Sequence, residues 1–563
     1  MINFKKCIIE MIHNAIEISI NEQVVCRPPR EDMGDFTVPC FNIPIAGLKN
    51  PSEKGLYIKN KLEIDTNIFQ NINVVGPYLN FTINKDLLAN EVINNIENEG
   101  ESYGSSKIGY NKDLLIEHTS INPNASPHIG RSRNSIIGDF LVNLYKFEGF
   151  NVETNYFIND IGKQISMLLV GTEKFSNIDN IDFNGMLKIY IKINELSKTD
   201  KKVEDKVFSY LKELENGNEL VKEKFKKITD ICIKGQQNIF NKMNIKWDRY
   251  TYESEFVFDK KTDEIISQLN KAKRLKEDEN GRLYVDLSSY NIPTKSPVLV
   301  LTREDKTSLY PLRDIAYTIE KINRNNKYNF IVLGEDQEVY MKQISAVLDI
   351  LGYKSPSLIS YSFVLLNGDK MATREGKVVL LEEFIEKARE KLILSFKEKG
   401  IKVEDKVISD LAASCIKYNM LNVNRKKTVN FDLESATNFQ GNSAMYLLYN
   451  YVRINSILDK IKYDKDNFHE LYKLQEKLEY SLLNSLYDFP EVIDRTYKSS
   501  ESVLLTNYLY SVSQIFAKYY ENISILSEKD DVLRESRLAL LNATRIVLSN
   551  GMKLLGINPI QKL

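Results

Sequence analysis

The stretch that most constrains the fold of this chain runs from residue 113 to residue 158. Residues 113–120 are largely apolar and predict a buried strand. Residues 128–147 have helical spacing, and residues 152–158 predict a second strand after a stop at Gly149. Parallel strands joined by a helix begin a doubly wound fold, whose ligands bind beyond the carboxyl ends of the strands. This stretch therefore predicts a nucleotide-binding α/β core.

The predicted helix begins with residues suited to binding phosphate. His128 and Gly130 follow Pro127 at the junction between strand and helix. Helix N-termini present backbone N–H groups and a partial positive charge to phosphate oxygens. We expect His128 to donate a hydrogen bond to the α-phosphate of ATP as the phosphorus is attacked, and Gly130 to let adenine approach the backbone. The alternative interpretation of His128 is a histidine that only caps the helix.

A polar loop with glycines, residues 367–376, lies much further along the chain and carries Lys370 and Arg374. Apolar segments flank this loop on both sides. A basic loop of this kind can close on pyrophosphate and stabilise the charge that develops in the transition state. Together with His128, it predicts chemistry at the α-phosphate of ATP. The alternative interpretation is a pair of ordinary surface charges.

The length and composition limit the class of protein but do not by themselves indicate a binding partner. A length of 563 residues is enough for about four domains of roughly 150 residues. Lys and Arg number 76 against 77 Asp and Glu, a formal charge of -1. A nucleic-acid partner is therefore compatible with this chain only if basic side chains gather on one face.

Cysteine and histidine usage argues against metal or disulfide scaffolds. The five cysteines have no CxxC spacing, and the four histidines are scattered. This pattern predicts no structural zinc site and fits a reducing cytoplasm. No apolar run approaches the length of a membrane span, and the first residues lack the pattern of a signal peptide. We expect no membrane association.

The spacing of apolar residues predicts two further units before residue 250. Residues 1–112 predict a small α+β domain, with a helix over 4–19 and a strand over 74–83. Residues from about 170 to 250 are rich in Lys, Glu and Asn with helical periodicity. They predict a helical insertion within an α/β core that spans residues 113–385.

The α/β core is expected to resume after the insertion with three more strands. These strands are predicted over residues 297–301, 328–334 and 360–366. Residues 386–563 have helical spacing almost throughout, which predicts an all-α bundle as the last domain.

Residues 120–131 and 370–377 resemble the two signatures of the class I aminoacyl-tRNA synthetases. More narrowly, they resemble the arginyl-tRNA synthetase family. Further segments resemble that family along the chain: residues 155–164, 310–316, 439–447 and 543–551. The resemblance covers essentially the whole chain, including an N-terminal domain peculiar to that family.

The resemblance implies a fold and a reaction. The fold would be a Rossmann-like class I synthetase catalytic core with a helical insertion, a small α+β N-terminal domain that contacts tRNA, and an all-α anticodon-binding bundle. ATP would activate L-arginine to arginyl-adenylate, and the arginyl group would pass to the 3′ adenosine of tRNA(Arg). Mg²⁺ would accompany ATP, no zinc is expected, and adenylate formation would need bound tRNA. A cytoplasmic monomer is the expected state.

The resemblance also implies the residues that bind arginine. Glu253, Tyr310 and Asp314 would bind the guanidinium, and Asn122 and Gln337 would bind the α-amino group. A guanidinium needs planar carboxylate partners, and Tyr310 and Asp314, four residues apart on a helix, share one face. The alternatives are a solvated acid for Glu253, a polar residue at a helix start for Gln337, and an ion pair within its own helix for Asp314.

The remaining implied residues fall into three sets. The catalytic set is His128, Gly130, Arg131, Lys370 and Arg374. The ATP-binding set is Pro127, His128, Gly130, Lys370 and Met371. The tRNA-binding set is Arg27, Arg30 and Tyr78 in the N-terminal domain, with Asn442, Tyr446, Tyr449 and Arg453 on one predicted helical face of the bundle. Tyrosines and arginines on such a face can stack on unpaired bases, although core packing is the alternative for Tyr446 and Tyr449.

Several positions depart from the family's usual pattern. Arg131 stands where histidine is usual, and an arginine there can still reach phosphate. Ala372 and Thr373 stand where serine and lysine are commoner, and Lys306 stands where glycine is common. Glu375 places a negative charge beside the expected pyrophosphate clamp. These changes bear on efficiency more than on identity.

Three other functions compete with arginine–tRNA ligation. A nucleotidyltransferase of the same superfamily would share the signatures, but such enzymes usually lack a helical C-terminal domain. A duplicated synthetase without catalysis would bind arginine or tRNA and consume no ATP. The cysteine and methionine synthetases often use zinc ligands, and this chain offers no zinc-ligand spacing.

Overall fold

The computed structural model describes residues 1–324, 328–366, 369–370, 379–465 and 471–562. No helix in these ranges is both long enough and apolar enough to span a bilayer. The described chain is built from an N-terminal α+β domain, an α/β core interrupted by an insertion, and a helical bundle.

The N-terminal domain packs three helices on a small antiparallel sheet. Its elements are α1 (Phe4–Ile16), β1 (Phe36–Pro39), α2 (Pro51–Lys61), β2 (Phe69–Val75), β3 (Tyr78–Ile83) and α3 (Lys85–Glu99). The strand order is β1-β3-β2. The single strand predicted over residues 74–83 is wrong, because Val75 pairs with Tyr78 across a hairpin turn. Gly76 reverses the chain there with φ 55°, and the apolar pattern continues on both arms.

The core is a five-stranded parallel sheet with the order β11-β10-β4-β5-β6. Its strands are β4 (Asp113–Glu117), β5 (Asn151–Ile158), β6 (Arg249–Tyr252), β10 (Tyr328–Gly334) and β11 (Ser357–Tyr361). Helices α4 (Ile129–Phe147), α11 (Tyr310–Asn323) and α12 (Glu338–Ile350) connect or cover them. Strands β4 and β10 are neighbours, and the connections leave them in opposite directions along the sheet. Their carboxyl ends therefore form the switch point at which this fold binds ligands.

Four helices between β5 and β6 form the insertion. They are α5 (Lys163–Phe175), α6 (Phe183–Leu196), α7 (Lys201–Glu215) and α8 (Glu219–Asn241). Their amphipathic faces enclose a separate apolar cluster that includes Leu168, Met186 and Phe225. The insertion thus has an apolar cluster of its own, while Ile233, Ile239 and Phe240 of α8 join the main core.

The strand predicted over residues 297–301 exists, but its expected place in the parallel sheet is wrong. Strand β9 (Val298–Val300) belongs to a separate antiparallel sheet, with β7 (Leu275–Glu277) and β8 (Leu283–Asp286). Helices α9 (Glu253–Phe258) and α10 (Lys261–Lys271) lead into that sheet. Apolar periodicity identifies an extended segment, whereas its hydrogen-bonding partner depends on contacts distant in sequence.

The strand predicted over residues 360–366 is divided in two. Strand β11 ends at Tyr361, and β12 (Val364–Leu366) pairs with β13 (Asp369–Lys370) and with β14 (Val429–Phe431) in another sheet. Arg133 of α4 donates to Ser362 O (2.5 Å) at the break between them. The backbone leaves the parallel sheet at Ser362, where the carbonyl accepts from the Arg133 side chain on α4 and not from a neighbouring strand.

The bundle contains the helices after the second signature. They are α13 (Leu381–Glu398), α14 (Asp405–Leu421), α15 (Leu433–Ala436), α16 (Ala444–Ile461), α17 (Lys477–Tyr487), α18 (Phe489–Ser499), α19 (Ser502–Asn522) and α20 (Asp531–Leu554). Strand β14 is the exception to the predicted all-helical pattern. One continuous apolar cluster joins the bundle to α4 and to the N-terminal domain. The N-terminal domain is therefore packed on the bundle, with α3 against α17 and α20.

Candidate active site

A sharp turn at the carboxyl end of β4 starts the site. Thr119 and Ser120 have φ values of 77° and 41°, a left-handed conformation that side chains with a Cβ rarely adopt. Asn134 on α4 accepts from Thr119 N (2.5 Å) and donates to Val332 O (2.7 Å) on β10. This amide holds the ends of β4 and β10 together, so that the strained turn opens at the switch point of the sheet.

His128 is the N-cap of α4, in an extended conformation. Its Nδ1 accepts a hydrogen bond from Arg131 N (3.3 Å). Burial, and then the charge of Arg131, lower the pKa of His128 to about 4, so the imidazole is neutral near pH 7. With Nδ1 acting as acceptor, the ring proton lies on Nε2. His128 does cap the helix, and this cap leaves Nε2–H free to donate to a phosphate oxygen, so its role toward ATP stays a prediction.

The chain on both sides of the second signature contacts the start of α4. Ile129 N donates to Val379 O (3.2 Å), and Leu381 N donates to Pro127 O (2.9 Å). On the other side, Lys370 pairs with Leu365 in the short sheet that follows the break at Ser362. Both ends of the segment between β12 and α13 are thus held beside the first signature.

The two remaining residues predicted in that segment, Met371 and Arg374, lie outside the described residues. Their roles toward ATP and pyrophosphate therefore stay predictions. Gly130 and Arg131 lie in the first turn of α4, directly after His128.

An acidic pocket, formed by Asp160, Glu253 and Asp314, lies where α9 and α11 meet the carboxyl end of the sheet. Glu253 is 1% exposed, so the interpretation as a solvated acid is wrong. Its Oε1 lies 3.2 Å from Arg313 Nε, yet neither group has good hydrogen-bond geometry. The ion pair is close enough for charge compensation but leaves both oxygens of Glu253 without a donor among the described residues.

Asp314 is bonded to a residue that sequence reasoning missed. Tyr340 on α12 donates from its hydroxyl to Asp314 Oδ2. The Tyr310 ring lies 5.3 Å from the Tyr340 ring, and Tyr310 is 55% exposed. The predicted partner of Asp314 within its own helix, Arg313, pairs with Glu253 instead. The only sequence signal for Tyr340 was a tyrosine in the first turn of the helix after β10.

Burial dominates the electrostatics of the acidic pocket. It raises the pKa of Glu253 to about 8, with Arg313 opposing the shift. It raises the pKa of Asp314 to about 6 and that of Asp160 to about 6, with hydrogen bonds from Tyr340 and Ser254 opposing the respective shifts. The charge of Arg313 opposes the shifts in the pKa of Glu253 and Asp314, and Lys321 also opposes that of Asp314. A cationic ligand beside these carboxyl groups would further favour their ionised forms.

Asn122 and Gln337 lie at the two strand ends that flank the switch point. Asn122 Nδ2 donates to Gln164 Oε1 (3.1 Å), in the loop that leads to His128. Gln337 ends a short turn between β10 and α12, where its exposed side chain donates to Asp336 Oδ2 (2.7 Å). Gln337 is thus a polar residue at a helix start, as the alternative interpretation predicted. Its binding of the substrate's α-amino group stays a prediction.

The three N-terminal residues predicted to bind tRNA differ in their contacts. All the guanidinium N–H groups of Arg27 are bonded, to Asp35 O, to Asn484 and to Asp488. Arg27 thus joins the N-terminal domain to the bundle, and tRNA binding by these three residues stays a prediction. Arg30 forms an exposed ion pair with Asp32 (3.3 Å). The ring of Tyr78, which is half-buried, lies against that of Phe41.

The predicted face of the bundle is partly confirmed in geometry. Tyr449 and Arg453 lie on α16, and the Arg453 guanidinium lies 4.8 Å from the centre of the Tyr449 ring. It also lies 4.7 Å from the ring of Tyr520 on α19, which sequence reasoning missed. These side chains line an open cavity of about 390 Å³. Tyr446 instead packs edge-on against Tyr510.

Asn442 does not share that face, because α16 begins at Ala444 with Ser443 as its N-cap. Its side chain accepts from Tyr418 Oη and donates to Asn422 and Asn507. The helical spacing assumed for Asn442 is therefore wrong, since the residue precedes the helix.

A parallel sheet with a histidine-headed helix at its switch point, residues 379–381 bonded to the start of that helix, and a C-terminal helical bundle together match the architecture of the class I aminoacyl-tRNA synthetases. Three family models match the chain: tRNA synthetases class I (R), catalytic domain, over residues 92–433, the DALR anticodon binding domain over residues 447–563, and the arginyl tRNA synthetase N terminal domain over residues 3–83. The chain belongs to the arginyl-tRNA synthetase family.

Relatives and solved structures agree with this assignment. The arginine–tRNA ligase of Archaeoglobus fulgidus is 32% identical over 92% of this chain and 92% of its own length. That of Clostridium beijerinckii is 30% identical over 100% of both chains. Thermus thermophilus arginyl-tRNA synthetase superposes with a TM-score of 0.80 over 100% of both chains at 21% identity, which shows a shared fold. The Plasmodium falciparum arginyl-tRNA synthetase matches with a TM-score of 0.79 at 20% identity, over 100% of this chain and 99% of its own.

Proposed function

We propose that this protein is an arginine–tRNA ligase that uses ATP, L-arginine and tRNA(Arg). A carboxylate oxygen of arginine attacks the α-phosphorus of ATP, and the bond to the bridging oxygen breaks, so that pyrophosphate leaves with its electron pair. The 3′ adenosine ribose hydroxyl then attacks the arginyl carbonyl, and AMP leaves. No side-chain nucleophile is needed, and catalysis comes from positioning and electrostatics.

The acidic pocket is the observation that carries arginine as the substrate. Glu253 is buried with both oxygens lacking a donor among the described residues, and Asp314 lies beside it. A guanidinium offers five N–H donors in a planar fork that matches carboxylates. Binding arginine would supply the donors that Glu253 lacks. An uncharged amino acid would leave these carboxyl groups without compensation.

His128 is assigned to the α-phosphate. Its neutral ring donates from Nε2 while Nδ1 is occupied by Arg131 N. That hydrogen bond fixes the ring without consuming the donor. The charge that grows on the phosphate oxygens during attack is then met by a preorganised N–H group and by the N-terminus of α4. Lys370, Met371 and Arg374 are assigned to the triphosphate and pyrophosphate in the same proposal.

Mg²⁺ enters the proposal as part of the nucleotide substrate. This ion keeps several waters and binds phosphate oxygens readily, with one or two carboxylates. Within the described ranges, no group of three or more His, Cys, Asp or Glu side chains is arranged to hold a metal ion. We assign Mg²⁺ to the triphosphate it accompanies and assign no protein ligand to it.

The RNA partner is assigned to two surfaces. The cavity beside Tyr449, Arg453 and Tyr520 would hold anticodon bases by stacking. Arg30 and Tyr78 would contact the tRNA from the N-terminal domain. A cytoplasmic monomer, and domain boundaries at residues 112 and 385, belong to the same proposal.

Charging of bulk tRNA with each of the twenty amino acids tests this function. Arginine alone should be attached, with stoichiometric formation of AMP and pyrophosphate. Attachment of another amino acid would reassign the substrate. Binding of arginine or tRNA with no consumption of ATP would instead show a synthetase-derived binding protein.

A further inference from the structure

The loop between β4 and His128 is held from outside by the helical insertion. This loop, residues 121–127, carries Asn122 and leads directly into the phosphate-binding end of α4. The loop contains one turn of its own, in which Ala125 N donates to Asn122 O (3.2 Å), and Pro123 is inside that turn. Further hydrogen bonds to the loop come from distant parts of the chain.

Gln236 near the end of α8 makes the central contact. Its Nε2 donates to Asn122 O (3.0 Å) and to Ala125 O (2.7 Å). Its Oε1 accepts from Tyr156 Oη (2.8 Å) on β5. The side-chain amide of Gln236, which is 1% exposed, thus uses both donors and its acceptor at once.

The chemistry of these partners fixes the orientation of the Gln236 amide. Asn122 O and Ala125 O are carbonyls and can only accept, so the nitrogen of the amide must face the loop. The Tyr156 hydroxyl then faces the oxygen of the Gln236 amide, and it accepts a hydrogen bond from Ile121 N (3.1 Å). A single buried glutamine joins three segments that are far apart in sequence.

Other helices of the insertion contact the same loop. Gln164 in the first turn of α5 accepts from Asn122 Nδ2 (3.1 Å). Tyr190 on α6 is hydrogen-bonded to the side chain of Asn124. The insertion therefore contacts the loop through α5, α6 and α8. Among these contacts, Gln236 is the residue that donates to two backbone carbonyls of the loop.

We propose that Gln236 is a positioning residue for amino-acid activation, which holds the loop so that Asn122 and His128 face the same substrate. This inference rests on the proposed function. It assigns to the helical insertion the role of a frame for the first signature. Gln236 touches no reacting atom and acts through the loop.

The donors of Gln236 can be removed with little change of shape. Gln236→Glu keeps an acceptor for Tyr156 but faces two carbonyl oxygens with a carboxylate oxygen. Gln236→Met keeps the length and removes the amide. Losing the amide removes the donor of Ala125 O, while Asn122 O keeps the hydrogen bond from Ala125 N. We expect kcat/KM for arginine to fall by about 10- to 100-fold in both variants. KM for tRNA should stay within about threefold of the wild type, because the bundle is unaltered.

Two further variants sharpen the comparison. Thr229 is buried on the same helix, and its hydroxyl has no partner within the described ranges. Thr229→Val should therefore keep wild-type kinetics. Gln164→Glu keeps the acceptor that Asn122 Nδ2 uses and should lose far less than Gln236→Glu, although the substitution is the same.

The experiment measures arginine charging per active site, with the sites titrated by adenylate formation in the presence of tRNA(Arg), and hydrogen exchange of a peptide that covers residues 118–130. The positioning role predicts lower kcat/KM per active site together with faster exchange of this peptide in Gln236→Glu and Gln236→Met. Wild-type kinetics per active site in these variants, with only a lower melting temperature, would overturn it. If the Gln236 variants do not fold, two variants of Gln164 test the same loop. Gln164→Glu keeps the acceptor for Asn122 Nδ2 and Gln164→Met removes it. Equal losses in these two variants would overturn the proposal that side chains of the insertion hold the loop in place. A wild-type protein that charges no arginine would contradict the proposed function instead, and the exchange readout would still test the contact.

Discussion

Glu253 and Arg313 form an ion pair of 3.2 Å in which the side chains are only 1% and 8% exposed. The pair compensates charge without satisfying the hydrogen-bonding capacity of either group. Buried ion pairs of poor geometry recover little of the desolvation cost of their members. Both oxygens of Glu253 lack a hydrogen-bond donor among the described residues, and this is why the proposed function assigns Glu253 to the guanidinium of the substrate.

Arginine binding should release a proton near neutral pH. Burial raises the pKa of Glu253 to about 8, so the free site is mostly protonated at pH 7. A bound guanidinium favours the carboxylate, and the proton must leave. Titration calorimetry at pH 7 in two buffers of different ionisation enthalpy should show close to one proton released, falling towards zero at pH 9.

Glu253→Gln is the control for this proton. The variant should bind arginine at least about tenfold more weakly and show no dependence of its enthalpy on the buffer. In the wild type, affinity should rise with pH up to about 8 and then level off. A pH-independent affinity with no buffer effect would remove Glu253 from guanidinium binding.

Glu253 also makes the folding stability depend on pH. Since the folded state binds the proton of Glu253 more tightly than the unfolded state does, the contribution of this group to the free energy of unfolding decreases as pH rises from about 4.5 to 8.

Asp314→Asn should weaken arginine selectively. A charge-assisted hydrogen bond to a buried carboxylate contributes about 1.5–3 kcal/mol, which corresponds to roughly a 10- to 150-fold rise in KM for arginine. Steady-state kinetics with ATP as the varied substrate should show little change. An equal loss for ATP would mean that Asp314 lies in a different part of the site.

Tyr340→Phe should have a smaller effect of the same kind. The hydroxyl of Tyr340 donates to Asp314 Oδ2 and so opposes the rise in the pKa of that carboxyl. Without it, the carboxyl is protonated at higher pH and is less well oriented. KM for arginine should rise several-fold at pH 6.5 and by less at pH 8.5, where Asp314 is ionised in either form. A larger defect at the higher pH would contradict this relationship.

His128→Ala should lower kcat on the order of 100-fold with arginine affinity largely kept. The Nε2–H donor is lost, while the arginine pocket is untouched. In the wild type, the pKa of about 4 places the ring of the free protein in its neutral form throughout the working range, so kcat/KM for ATP should show no histidine titration between pH 6 and 8. An unchanged turnover in the variant would exclude His128 from the mechanism.

Arg453→Met should weaken tRNA without affecting activation of the amino acid. The guanidinium lies between the rings of Tyr449 and Tyr520 and lines the cavity of the bundle. Base stacking on such a surface contributes about 1–3 kcal/mol, so KM for tRNA should rise about tenfold or more. Arg545, whose guanidinium bonds to Asn542 elsewhere in the bundle, provides a matched control as Arg545→Met. Equal effects of the two substitutions would indicate loss of the bundle fold.

Pyrophosphate exchange without tRNA should remain near background. This expectation comes from the family and is independent of the rates measured with tRNA. Exchange should appear when tRNA(Arg) is added and should not appear with an unrelated tRNA. Robust exchange in its absence would mean that this protein activates arginine alone.

Much of the site was visible in the sequence because its signals are local. The strand before residue 120, the helix headed by His128 and the four-residue spacing of Tyr310 and Asp314 each depend on neighbours along the chain. The helix periodicity of the insertion and of the bundle is of the same kind. These features were predicted with the right element type, although the boundaries moved by a few residues.

What failed depends on distant partners. The apolar segment around residue 299 was expected in the parallel sheet but pairs with β8, and residues 74–83 hide a hairpin. Nothing in the sequence indicated that Asp35, Asn484 and Asp488 bond all the donors of Arg27. A residue's own sequence neighbourhood contains no record of such partners.

The chain alone determined the chemistry that its short motifs can perform, since backbone geometry and side-chain type follow from local spacing. Only the tertiary structure decided how those groups are tuned. Burial set the charge states of His128 and Glu253, and Gln236, more than a hundred residues further along the chain, bonds to the loop that precedes His128. Desolvation and hydrogen-bond saturation are properties of an assembled environment, so they exist only once the domains have packed together.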